Sequence, residues 1–263
     1  MQDITITIVQ SDLIWEQPRK NLDNFDKKLG TLKDAQDIIV LPEMFSTGFT
    51  MNVRQYAEDM NGATLFWMKE KAAGLNAAIT GSFIFKSQNK YYNRLVWMNP
   101  DGSYKTYDKR HLFRFGNEHD YFEAGTEKII VELNGWRFCP MICYDLRFPV
   151  WTKNRLENEK FQYDALIYVA NWPEARKFHW QTLLKARAIE NLSYVVGVNR
   201  IGPDGRGTRH SGNSIVISPK VETLCEIDDN AEEIKTITLS KSDLVKYREK
   251  FNVGLDWDDF QLL

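Results

Sequence analysis

The chain has 263 residues, 43% of them hydrophobic and 13% aromatic, enough apolar surface for one large core with no break in composition. Lys and Arg number 34 against 36 Asp and Glu, and a net charge of −2 gives no electrostatic reason to expect nucleic acid or an anionic membrane as partner. MQDITITIVQ lacks a basic leader, no apolar run is long enough for a bilayer, and three irregularly spaced cysteines argue against a disulfide framework, so a cytoplasmic protein with free thiols is expected.

Ile4 to Val9 alternates polar and apolar residues as a half-covered strand does. Pro18 opens a helix carrying Leu22, Phe25 and Leu29, and Gly30 closes it. Asp37 to Leu41 reads as a short buried strand stopped by Pro42, which leaves Glu43 just past a strand end. A helix over Thr64 to Ala73 is followed by strands at Ala77 to Phe85 and Tyr91 to Met98, then by the turn Asn99-Pro100-Asp101-Gly102. A strand at Tyr104 to Tyr107 delivers Lys109 at its end. Asn134-Gly135 joins Ile129 to Leu133 with Trp136 to Ile142 as a hairpin whose second strand runs into Cys143.

Tyr163 to Ala170 is another buried strand, and His179 to Glu190 reads as a helix with Leu183, Leu184 and Ile189 facing inward. Strands at Tyr194 to Asn199, Ser214 to Ser218 and Ile234 to Leu239 precede a helix around Ser242 to Lys250. Cys225 falls in a peripheral strand. The order of elements fits an α/β protein with a mixed sheet, or a pair of sheets, and helices outside. Periodicity goes no further.

Three residues share one context, the end of an apolar strand inside a segment dense in aromatics or proline: Glu43 in LPEMF, Lys109 in YDKRHLF and Cys143 in MICYDLRFP. Brought together, they would make a covalent acyl-transfer site. Glu43 would take the thiol proton, and the Cys143 thiolate would attack an amide carbonyl. Lys109 would stabilise the oxyanion and hold down the thiol pKa, with backbone N–H groups beginning at Tyr144 as further donors. Strand-end carboxylates and ammoniums are also commonly solvated or paired, and a cysteine after an apolar strand is commonly core. Cys139 leaves the same predicted strand at a four-residue offset and competes with Cys143 until CYDLRFP is seen to end the strand at Cys143.

LPEMFSTGF, YDKRHLFRF, CYDLRFPVW, YVANWP and KARAIEN, in this order, resemble the nitrilase or carbon–nitrogen hydrolase superfamily, and within it the omega-amidase branch. The resemblance runs from the first strand to about Glu249 and implies an α-β-β-α four-layer sandwich of two mixed sheets with helices outside. It also implies a Glu43–Lys109–Cys143 triad, no cofactor, and 2-oxo dicarboxylic acid monoamides such as 2-oxoglutaramate and 2-oxosuccinamate as substrates. A second glutamate between the lysine and cysteine motifs is implied to position Lys109 and a water; Glu118, seven residues before Gly125, takes that place ahead of Glu123.

In such a fold Asn171 and Trp172 end the strand beside the nucleophile and would contact the substrate amide or wall the pocket. Phe45, Phe49 and Phe115 are candidates for an apolar wall or for plain core. The substrate carboxylate would need a donor such as Arg110, Arg114, Arg147 or Arg176, among which the sequence does not choose. Asp145 and Arg147 are expected to brace the nucleophile turn. No His, Cys or Asp spacing suggests a metal, and IGPDGRGTRHSG lacks phosphate-loop order and reads as a flexible loop. The whole of 1–263 is expected to be one domain, with the aromatic tail 251–263 packing on the partner of a homodimer.

Overall fold

The computed structural model describes residues 2–262. Its elements run β1 (Ile4–Gln10), α1 (Pro18–Leu29), β2 (Ile38–Val40), α2 (Val53–Tyr56), α3 (Ala63–Leu75), β3 (Ala78–Ser87), β4 (Lys90–Met98) and β5 (Tyr104–Asp108). Then follow β6 (Val131–Leu133), β7 (Trp136–Ile142), α4 (Pro149–Thr152), β8 (Leu156–Glu157), β9 (Lys160–Phe161), β10 (Ala165–Ala170), α5 (Lys177–Asn191) and β11 (Tyr194–Asn199). The last are β12 (Ile201–Pro203), β13 (Arg209–Ser211), β14 (Ile215–Ile217), β15 (Thr223–Glu226), β16 (Glu233–Leu239) and α6 (Lys241–Lys250).

Two mixed sheets form, in the orders β16-β1-β2-β3-β4-β5 and β15-β14-β11-β10-β7-β6. Each has parallel strands at its centre, β1-β2-β3 in one and β7-β10-β11 in the other, and antiparallel strands toward the edges. Alternation along the strands decides the layers. Ile4, Ile6, Ile8, Ile38, Val40 and Trp97 face the second sheet, while Val9, Ile39 and Ile79 face Phe25, Trp67 and Met68 of α1 and α3. Trp97 and Phe138 meet across the two sheets with ring centroids 5.3 Å apart. Trp180, Leu184 and Ala188 of α5 and Leu244 of α6 cover the far face. This is the four-layer α-β-β-α sandwich.

Ile189 does not face inward as expected; it is 56% exposed. Trp180, Leu184 and Ala188, spaced by four, define the buried stripe of α5, and Ile189 stands about 100° round the helix from Ala188. The glycine-rich stretch is more ordered than a flexible loop, since β12 and β13 pair antiparallel through Ile201–Ser211 and Pro203–Arg209. Part of the tail packs on its own chain: Trp257 meets Phe161 edge-on at 5.7 Å, and the Phe260 carbonyl accepts from Arg155 Nη2 at 3.0 Å. Phe251 and Leu255 stay exposed. Among the described residues no helix is long and apolar enough to cross a membrane.

Candidate active site

The carboxyl ends of the central strands open on one side, where α/β sheets ordinarily present ligand sites. Glu43 follows β2 in a tight turn whose next residue, Met44, has a φ of 43°. Lys109 directly follows β5, and Gly125 passes so close behind it that a Cβ there would lie 2.1 Å from the Asp108 carbonyl oxygen. Cys143 directly follows β7 and opens a 3-10 turn over Cys143–Arg147 with a φ of 41°. That left-handed angle is uncommon for a residue with a side chain, and it turns the thiol out of the pleat. Cys139 stays inside the strand at 0% exposure, and burial pushes its thiol up to about 12.

The three side chains converge with Glu118. Lys109 Nζ donates to Glu43 Oε1 at 2.8 Å and reaches Glu118 Oε1 at 3.1 Å and Oε2 at 3.0 Å. Asn93 Nδ2 donates to the same two carboxylates, at 2.8 Å and 3.1 Å. Glu43 Oε2 accepts from the Asn171 backbone N–H at 2.7 Å, and Glu118 Oε2 from that of Phe113 at 2.6 Å. Glu43, Lys109 and Glu118 are no more than 1% exposed. Glu118 is therefore a buried partner of Lys109 rather than a solvated loop carboxylate.

Burial acts to lower the Lys109 ammonium, but Glu118 and Glu43 overcome it, and the lysine stays charged well above neutral pH. Burial, with Glu43 adding, raises the Glu118 carboxyl against the pull of Lys109. Burial and the adjacent Glu43 carboxylate also raise the Cys143 thiol, outweighing Lys109. Lys109 thus does not hold the thiol pKa below its ordinary value, and the resting group is S–H.

Glu43, Lys109 and Cys143 lie at a cavity of about 230 Å³. Its wall includes Tyr144, Asn171, Trp172, Phe49 and Phe115, and of the four candidate arginines it includes Arg147 and Arg176. Phe115 is 85% exposed at the mouth. Phe45 is not part of this wall. It packs edge-on against Phe25 at 5.6 Å and near Trp67 at 5.8 Å, because it points from the Glu43 turn into the outer helix layer. Asn171 Nδ2 donates to the Glu43 carbonyl at 2.5 Å, while its buried Oδ1 has no partner among the described residues. Trp172 is pinned through Nε1 to the Arg176 carbonyl at 2.8 Å.

Asp145 and Arg147 do not pair with each other. Asp145 accepts from the Ile142 N–H at 3.1 Å, the Tyr107 hydroxyl at 2.7 Å and the His111 N–H at 3.0 Å, bracing the turn that carries Cys143. Arg147 lies over the Trp172 ring at 4.8 Å, with Nη2 3.1 Å from His179 Nδ1.

Sequence reasoning missed Asn93, Phe113 and the Asp204–His210 segment, whose Asp204, Arg206, Thr208 and His210 line the cavity. Asn93 had a signal, a lone amide in the apolar run of β4. The segment had only its glycines. Among the described residues no cluster of His, Cys, Asp and Glu could hold a metal ion.

The family model described as carbon–nitrogen hydrolase matches residues 5–249. The chain belongs to the carbon–nitrogen hydrolase family. This member is 43% identical to omega-amidase YafV of Escherichia coli strain K12 over 100% of both chains. It is 32% identical to a 2-oxoglutaramate amidase of Bacillus subtilis strain 168, over 84% of this chain and 85% of that one. Among solved structures it is similar to XC1258 of Xanthomonas campestris, a CN-hydrolase superfamily protein with an arsenic adduct in its active site. The TM-score there is 0.97 at 44% identity, over 100% of both chains.

Proposed function

We propose that this carbon–nitrogen hydrolase is an omega-amidase that releases ammonia from small 2-oxo dicarboxylic acid monoamides, 2-oxoglutaramate and 2-oxosuccinamate, through a cysteinyl thioester. The observation that carries the reading is the buried Glu43–Lys109–Cys143 cluster at a cavity sized for a small molecule. Full-length similarity to omega-amidases supports the choice of amide.

Glu43 is the general base. It takes the Cys143 proton as Sγ attacks the amide carbon, so the thiolate forms only as it bonds to substrate. The negative charge passing to the carbonyl oxygen is met by Lys109 and the Tyr144 backbone N–H. Protonated Glu43 then gives its proton to the nitrogen as the C–N bond breaks, and ammonia leaves. A water next loses a proton to Glu43 and attacks the thioester; C–S cleavage returns that proton to sulfur. Glu118, gripping Lys109 from the other side, holds the ammonium in place through both half-reactions. Asn171 holds Glu43 in place, donating from its backbone N–H to the carboxylate and from Nδ2 to the Glu43 carbonyl.

A homodimer is part of the proposal. Val150, Phe178 and Ile189 are exposed on α4 and α5, two helices linked where Lys153 Nζ donates to the Glu190 carbonyl at 2.5 Å. A nucleophile that must stay a thiol suits the reducing cytoplasm. Both sheets share one core, which supports reading 1–263 as one domain.

Cys143→Ala should lower ammonia release from 2-oxoglutaramate at least about a thousand-fold. Full activity in that variant would overturn the reading. A panel adding 2-oxosuccinamate, a simple nitrile and an N-carbamoyl amine tests the substrate class, and preference for the nitrile or carbamoyl amine would reassign it.

A further inference from the structure

The cavity carries an imbalance of charge that the triad does not use. At its base Lys109 is matched by Glu43 and Glu118. Farther out the lining holds Arg147, Arg176 and Arg206 against one carboxylate, Asp204. Asp204 is turned onto its own loop, its Oδ1 accepting from the backbone N–H groups of Arg206 at 2.9 Å and Thr208 at 2.8 Å. Among the described residues, arginine–carboxylate pairs are made by Arg94, Arg187, Arg200, Arg209 and Arg248, and by none of the three at the cavity.

The three differ in readiness. Arg147 is spread over Trp172 and engaged with His179, so it serves as wall. Arg206 stands exposed beyond β12. Arg176 is half-buried and lies over two rings, Phe113 at 5.5 Å and Phe115 at 5.8 Å. Its own carbonyl holds Trp172, which fixes its backbone to the wall. The nearest acid in sequence, Glu174, is taken by Arg209 Nε at 3.2 Å across to β13. A guanidinium stacked in place and partly desolvated, with no acid of its own, is a prepared fork for a ligand carboxylate.

We propose that Arg176 is the specificity-determining residue that binds the substrate carboxylate distal to the scissile amide, with Arg206 closing over it from the β12–β13 hairpin. This rests on the omega-amidase reading and names the anchor that reading requires. It restricts substrates to amides with an anionic far end and explains why a cavity with aromatic walls should reject a neutral amide of equal length.

The test compares kcat/KM for 2-oxoglutaramate with that for pentanamide, a neutral amide of the same chain length, in the wild type, Arg176→Gln, Arg176→Lys and Arg206→Gln. Removing a charge-assisted pair should lower the ratio about 10- to 100-fold in Arg176→Gln, mainly through KM for 2-oxoglutaramate. Arg176→Lys should recover part of the ratio, and Arg206→Gln should reduce it less. An unchanged ratio in Arg176→Gln, or an equal loss on both amides, overturns the assignment, as does a larger effect of Arg206→Gln. A wild type that favours pentanamide overturns the omega-amidase reading itself and this inference with it.

Discussion

At the end of β7 the backbone turns left-handed, and the same angle that strains Cys143 lifts its thiol toward Glu43. The price is met by Asp145, whose carboxylate ties the Ile142 N–H to Tyr107 and His111. His210 on the cavity wall shows how burial sets a charge state. Burial, helped by Arg200, lowers its imidazole to about 4 from 6.5, so it is neutral near pH 7. Below 6.5 the unfolded chain binds a proton that the folded chain refuses. The stabilising share is therefore complete above that pH and is lost as pH falls toward 4, by on the order of 3 kcal/mol. Urea unfolding of the wild type and His210→Gln at pH 7 and pH 4.5 measures this. The variant should lose less on acidification, and equal losses would show that His210 is not the titrating group.

Among the elements, β7 does two jobs: its end carries Cys143 and its body carries Phe138 into the gap between the sheets. Phe138 is fully buried between Trp97 and Trp136, with centroids 5.3 Å and 6.2 Å away. Phe138→Ala should cost about 3–5 kcal/mol, because helices on both outer faces keep the sheets from collapsing onto the space. A denaturant midpoint that falls with an unchanged slope would agree; a loss below about 1 kcal/mol would mean the sheets do close up. The β7 hairpin was legible because Asn134 and Gly135 supply the two positive φ angles, 49° and 76°, that its turn needs. The β12–β13 hairpin was not. Its strands are only three residues long, and its turn runs from Asp204 to Thr208 by side-chain hydrogen bonds that leave no alternating pattern.

For the whole molecule, α5 carries the face on which the proposed homodimer would form. It buries Trp180, Leu184 and Ala188 yet presents Phe178 at 76% and Ile189 at 56% exposure. Light scattering should give a mass twice that of the chain, and Phe178→Asp with Ile189→Asp should halve it. A monomeric wild type, or a variant that remains dimeric, would remove this face as the interface. The local patterns of the sequence determined most of the strands and helices, their buried faces and the placement of Glu43, Lys109 and Cys143 at strand ends. Turn chemistry and the alternation of side chains act over a few residues, so they can be read in order along the chain. Only the tertiary structure decided that Asn93 bridges Glu43 and Glu118, that Phe45 belongs to the core, and that Arg176 pairs with no acid among the described residues while Glu174 serves Arg209. Each depends on which groups remain unpaired after distant strands have met, and no periodicity along a single chain records that.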